Sequence, residues 1–96
     1  MAAKGATNAL TRQHATEWAK HGITVNAISP TFVKTPQVED LLADDEFREA
    51  LYKRIPLGRI AETDDVVGAV LLLCSDASAF ITGQVLTLDG GLTACQ

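Results

Sequence analysis

Two short runs rich in β-branched residues, Ile23–Ser29 and Gln84–Asp89, constrain this chain more than any other feature. Each is closed by a chain breaker, Pro30 after the first and Gly90-Gly91 after the second, so both read as strands. The sequence between them is rich in helix formers. A strand that reaches the next strand through helices makes a crossover, so the pair is expected to lie parallel and adjacent. Ile23–Ser29 carries apolar residues on both faces, as suits a strand covered on two sides. The expected class is α/β: a helix, then a parallel β-α-β unit with an inserted helical lobe.

The helices have legible ends. From Ala2 to His21 the residues favour helix, and Lys20-His21-Gly22 closes the segment with cations at the negative end of the dipole and a glycine for the cap. Ala2, Ala3, Gly5 and Ala6 leave room for another backbone to approach. His14 and His21 read as solvent-facing or capping side chains, since neither has a metal-spaced partner. Beyond the loop Thr31–Pro36, Gln37–Ala43 makes one or two turns. Asp44 then caps a helix from Asp45 to about Arg54, whose apolar stripe is Phe47, Leu51 and Ile55. Thr63 is expected to cap the last helix, with Asp64 and Asp65 in its first turn. Val66–Leu73 is apolar almost all round, which predicts burial by neighbours on more than one side. Open α/β sheets bind ligands at the carboxyl ends of their strands, so functional weight falls on Thr31–Pro36.

Composition narrows the function classes. With 47% hydrophobic and 21% charged residues the 96-residue chain is at most one small globular domain. A net charge of -4 leaves no basic surface for nucleic-acid phosphates. No apolar run approaches the roughly 20 residues that span a bilayer, and the start lacks a secretory pattern, so the expected setting is cytoplasm, without membrane or nucleic-acid partners. Cys74 and Cys95 match no zinc or redox spacing and read as buried or idle thiols.

Five short strings in order give the chain a sharper likeness: Lys4 opening a helix, Val25-Asn26-Ala27-Ile28-Ser29-Pro30, Ile55-Pro56-Leu57-Gly58-Arg59, Ile81-Thr82-Gly83-Gln84 and Asp89-Gly90-Gly91. Each alone is weak. Together, at these spacings, they resemble the carboxyl-terminal portion of the short-chain dehydrogenase/reductase family over essentially the whole chain. The nearest flavour is the branch of 3-oxoacyl-carrier-protein reductases and sugar-acid dehydrogenases. The resemblance implies the last part of a Rossmann-like doubly wound sheet, a hydride transfer between NAD or NADP and a carbonyl or alcohol of a small molecule, and assembly as a homo-oligomer.

The same likeness implies roles for particular residues. Lys4 matches the family's catalytic lysine, which holds the nicotinamide ribose and lowers the pKa of a tyrosine one helical turn before it, at a position preceding Met1. Pro30, Thr31, Val33 and Thr35 match the cofactor loop, where the Val33 position offers backbone groups to the carboxamide and the Thr35 position offers a hydroxyl. Thr31 departs from the pattern, which more often has glycine there, and a β-branched residue avoids positive φ. Gln37–Ile55 matches the substrate lobe. The family's Gly-rich phosphate turn and its catalytic serine and asparagine have no counterpart in these residues, and Tyr52 reads as a packing residue. The expectation is therefore an oxidoreductase portion, inactive by itself, that needs the family's amino-terminal half. The alternative is a non-catalytic subunit that pairs with a longer homologue. Read without the likeness, Lys4 is a solvated lysine and Thr31–Pro36 an ordinary strand-to-helix turn.

Overall fold

The computed structural model describes residues 2–95. Six regular elements follow in chain order: α1 (Ala2–Trp18), β1 (Ala27–Pro30), α2 (Pro36–Leu42), α3 (Asp45–Arg54), α4 (Thr63–Leu73) and β2 (Val85–Leu88). The strands pair in one two-stranded sheet. Its register advances in the same direction on both strands: Gly83 N–H donates to Val25 O at 2.7 Å, Ala27 N–H to Gln84 O at 2.9 Å and Thr31 N–H to Leu88 O at 3.3 Å. The strands are parallel, as a helical crossover requires. The chain divides into two compact units, residues 1–29 with 68–86 and residues 30–67 with 87–96.

In the first unit α1 tightens at its end into a single 3-10 turn, Ala19–His21, and stops at Gly22, whose φ of 74° is the left-handed cap expected of it. The helix buries a narrow strip. Ala15 is buried, and so is Thr11, whose hydroxyl donates to the carbonyl of Thr7 one turn back. His14 is half-buried with its ring stacked on Trp18 at 4.5 Å, so it is a packing residue and not the solvent-facing side chain expected. Of the small residues near the start, Gly5 has open space where a Cβ would stand, while the side chains of Ala2 and Ala3 lie outside the described residues.

The first strand is shorter than Ile23–Ser29. Ile23 to Asn26 precede regular pairing because side chains take over the backbone's hydrogen bonds there. Thr82 Oγ1 accepts from Val25 N–H at 3.0 Å, and the Asn26 amide donates to Ile81 O and accepts from Gln84 N–H. Asn26 thus copies a peptide unit and sets the register of the ladder that begins one residue later. Ser78 is the most buried side chain among the described residues, its hydroxyl donating to Ser75 O at 3.0 Å in the turn after α4.

The second unit holds the larger core. Leu42 from α2, Leu51 from α3, Ile55 just beyond it and Ile60 are buried together, with Phe32, Val38 and Tyr52 packed against them. Tyr52 is the packing residue the sequence indicated. Asp44 caps α3, its Oδ1 accepting from the amides of Glu46 and Phe47. Phe47 departs from its expected stripe. It is 43% exposed, because the buried side of this short helix is narrow enough for Leu51 and Ile55 to fill. Thr63 lies inside α4, and the capping carboxylate belongs to Asp65, which reaches back to the Glu62 amide at 2.8 Å.

Two glycines show what the turns require. Gly58 and Gly90 both have positive φ, at 75° and 63°. A Cβ on Gly58 would meet nothing within 4 Å, whereas one on Gly90 would stand 2.7 Å from Cγ2 of the buried Ile55. Asp89, just before Gly90, accepts from Thr93 N–H at 2.9 Å and Gly91 N–H at 3.0 Å. Bonds from Thr93, then from Gly91, hold its carboxyl below the ordinary aspartate range.

Four substitutions test these turns and contacts. Gly58→Ala is expected to cost about 1–2 kcal/mol for the left-handed backbone alone, and Gly90→Ala clearly more, as read from urea midpoints. Ile55→Ala is expected to cost about 2–5 kcal/mol by the same measurement. The depressed carboxyl of Asp89 contributes stability that is fully present above the unfolded value of about 3.9 and is lost as pH falls through the lower folded value. Asp89→Asn is therefore expected to flatten the acid limb of a stability-against-pH curve and to lower its neutral plateau.

Candidate functional site

Pro30, the last residue of β1, and the segment after it hold four of the five candidate residues in the second unit. Pro30 ends the strand and is exposed. Thr31 continues the ladder through its amide. All positive-φ residues among those described are glycines, so Thr31 reaches this position in ordinary β-branched geometry and does not need the glycine that the likeness called for. Phe32 turns inward against the core.

Val33 then makes an isolated parallel bridge with Ala61. Ala61 N–H donates to Phe32 O at 3.0 Å, and Lys34 N–H donates to Ala61 O at 2.8 Å. In a parallel bridge of this kind the residue between the two bonded neighbours aims its own N–H and C=O the opposite way. The Val33 peptide groups accordingly face away from Ala61, and among the described residues neither has a hydrogen-bond partner. One donor and one acceptor stand side by side on a fixed backbone. A primary carboxamide presents the complementary pair.

Thr35 follows as the N-cap of α2. Its φ of -120° and ψ of 165° are extended, and its Oγ1 accepts from Val38 N–H at 3.3 Å. The cap uses an oxygen lone pair, so the hydroxyl proton stays available as a donor. Pro36 at the first helical position gives up no hydrogen bond and fixes the turn.

Around this loop the unit has features that the sequence did not indicate. Arg59 Nη1 contacts Asp65 Oδ2 at 2.8 Å and also donates to Ile60 O at 3.0 Å, while Arg59 Nη2 reaches Asp65 Oδ1 at 3.4 Å. The Arg59 hydrogen bond, then the Glu62 amide, hold the Asp65 carboxyl below its usual range, and Asp65 in turn raises Arg59. Lys34 Nζ lies 3.8 Å from Glu62 Oε1. A cavity of about 590 Å³ opens beside the loop, with Phe32, Ile55, Leu57, Ile60 and Leu88 among its walls and Asp89 at its edge. Ile60-Ala61-Glu62 carries no strand signal because a single bridge is too short to have a period. The one usable trace was an arginine and an aspartate flanking a helix start.

Lys4 belongs to the first unit, exposed in the first turns of α1. The structure therefore brings Pro30, Thr31, Val33 and Thr35 together on one loop and places Lys4 in the other unit. Tyr52 lies against the core of α2 and α3. Cys74 and Cys95 are free and exposed, so of the two readings, buried or idle, burial does not hold for either. Among the described residues no group of three or more His, Cys, Asp or Glu could hold a metal ion. No helix there is long and apolar enough to cross a membrane.

Comparison with known proteins adds to this geometry. Residues 1–93 match the family described as enoyl-(acyl-carrier-protein) reductase. A tropinone reductase homologue of Arabidopsis thaliana is 51% identical over 90 residues, covering 94% of this chain and 34% of that protein. The gluconate 5-dehydrogenase of Burkholderia cenocepacia J2315, solved in complex with NADP and tartrate, superposes with a TM-score of 0.87 at 41% identity, over 97% of this chain and 36% of that one. A 4-hydroxyisoleucine dehydrogenase solved with NADH gives a TM-score of 0.91 at 34% identity, over 97% of this chain and 38% of that one. The chain spans about a third of the length of the curated relatives it matches. Its Rossmann-like neighbours, its parallel strand pair and the order of its motifs agree: the chain belongs to the short-chain dehydrogenase/reductase family.

Proposed function

We propose that this chain supplies the carboxyl-terminal third of an oxidoreductase that uses NAD or NADP to interconvert a carbonyl and an alcohol on a small molecule. The observation that carries this is the Val33 peptide, whose N–H and C=O have no partner in the described chain and match a nicotinamide carboxamide in donor and acceptor. Thr35 stands two residues on with a hydroxyl proton to give. When bound, the nicotinamide supplies or accepts the hydride.

The chain's own residues then bind and orient. Val33 and Thr35 hold the carboxamide end, with Pro30 and Thr31 fixing where the loop leaves the sheet. Lys4 contributes a cation that holds ribose hydroxyls and favours the phenolate of a neighbouring tyrosine, a residue supplied from outside this sequence. The α2–α3 pair forms the substrate lobe. The reading includes a homo-oligomer working in the cytoplasm, and relatives solved with NADP and with NADH support either cofactor.

A second reading has one observation in its favour. Leu71 of α4 is 64% exposed and Phe80 entirely so, with Val70 and Leu72 also exposed. Those side chains suit a chain that pairs with a longer homologue without taking part in catalysis.

Assay of the purified 96-residue chain with NADH or NADPH and a carbonyl substrate is expected to show no turnover. Mixing it with the amino-terminal two thirds of a gluconate 5-dehydrogenase relative is expected to restore activity. Within that two-part enzyme Lys4→Ala should lower kcat by about a hundredfold or more. Turnover by the chain alone overturns the proposal, and co-elution without activity favours the second reading. In the same enzyme Thr35→Ser should leave the KM for the nucleotide near its starting value. Thr35→Ala should raise it and also cost about 1 kcal/mol of stability through the lost cap.

A further inference from the structure

The unpartnered Val33 peptide is useful only if it is held still, and the described residues show what holds it. Its bridge partner Ala61 lies in the short connection between Gly58 and the start of α4, a segment with no regular structure of its own. That connection is tied at both sides by one ion pair. Arg59 reaches forward to the Asp65 carboxylate with both Nη atoms and donates to Ile60 O. The same Asp65 Oδ2 that receives Arg59 Nη1 accepts from Glu62 N–H at 2.8 Å. Ala61 therefore stands between two peptide groups, Ile60 O and Glu62 N–H, each fixed by a member of the pair. Lys34 and Glu62 add a weaker contact across the same bridge.

We propose that Arg59 and Asp65 are positioning residues whose ion pair sets the register of Ala61 against Phe32 and Lys34 and so fixes the direction of the Val33 N–H and C=O. Their relevance to hydride transfer rests on the reading of the loop as the nicotinamide site. Neither residue touches the carboxamide groups. They act through the Ala61 peptide and its two hydrogen bonds, and the Arg59 hydrogen bond holds the Asp65 carboxyl below its usual range.

The pair is substantially exposed, with side chains 52% and 40% accessible, so its influence is expected to be local and moderate. Amide hydrogen exchange on the isotopically labelled 96-residue chain reads it directly. Arg59→Ala and Asp65→Asn are each expected to speed exchange at Lys34 N–H and Ala61 N–H by about three- to fivefold. Exchange at Gly83 N–H and Ala27 N–H, which belong to the β1–β2 ladder in the first unit, should be unchanged. Arg59→Lys, which keeps the charge and loses the fork, should fall between the extremes. Raising salt on the unsubstituted chain should shift the same two amides in the same direction.

Unchanged exchange at Lys34 and Ala61 overturns the proposal, and so does an equal rise at all four amides, which marks general loosening. Should a variant fail to fold, the salt series decides by the same criterion. A separate titration of the two-part enzyme with NADPH, following the Val33 amide resonance, tests the nicotinamide site itself. No shift at Val33 with selectively faster exchange at Lys34 and Ala61 removes the site assignment and leaves the clasp; a shift without that selective rise does the reverse.

Discussion

The parallel hydrogen-bond ladder between β1 and β2 is the constraint on which the rest of the chain depends. Parallel strands cannot be joined by a tight turn, so everything from Thr31 to Gly83 has to make the crossing. The ladder begins before the strands do. Asn26 supplies a side-chain amide where a peptide would otherwise pair, and Thr82 takes the Val25 amide, so the register is set by two polar side chains at the entrance. It continues past Pro30 to Thr31, which puts the next residues at the carboxyl end of a strand, with their peptide groups still directed by sheet geometry.

Burial is divided unequally along the chain. In the second unit Leu42, Leu51, Ile55 and Ile60 form a packed cluster, and Gly90 lies so close to Ile55 that only a hydrogen atom fits between them. Of the α4 side chains only Ala69 is buried, although Val66–Leu73 is apolar almost all round. A sequence pattern records how much apolar surface must be covered, and it does not say which polypeptide covers it.

The loop from Pro30 to Thr35 combines features that are ordinary one at a time. Proline at each end limits the backbone, a capping threonine starts α2, and a single bridge to Ala61 turns the Val33 peptide outward. Their joint effect is a donor and an acceptor at fixed spacing, without a partner among the described residues, two positions before a threonine hydroxyl. Thr31 shows how a departure from a family pattern is accommodated: the residue sits at negative φ, so the glycine was not required for the backbone path.

The class of fold, the parallel strand pair and two helix boundaries were legible in the residues alone, because Gly22 and Asp44 act through their own backbone geometry and short-range hydrogen bonds. The order of five short motifs likewise carried the family. Packing between distant parts of the chain settled that Phe47 stays exposed while Leu51 and Ile55 are buried and that Ala61 meets Val33. Those outcomes depend on which surfaces come within about 4 Å of each other across long stretches of chain, and no periodicity in a single sequence encodes that distance.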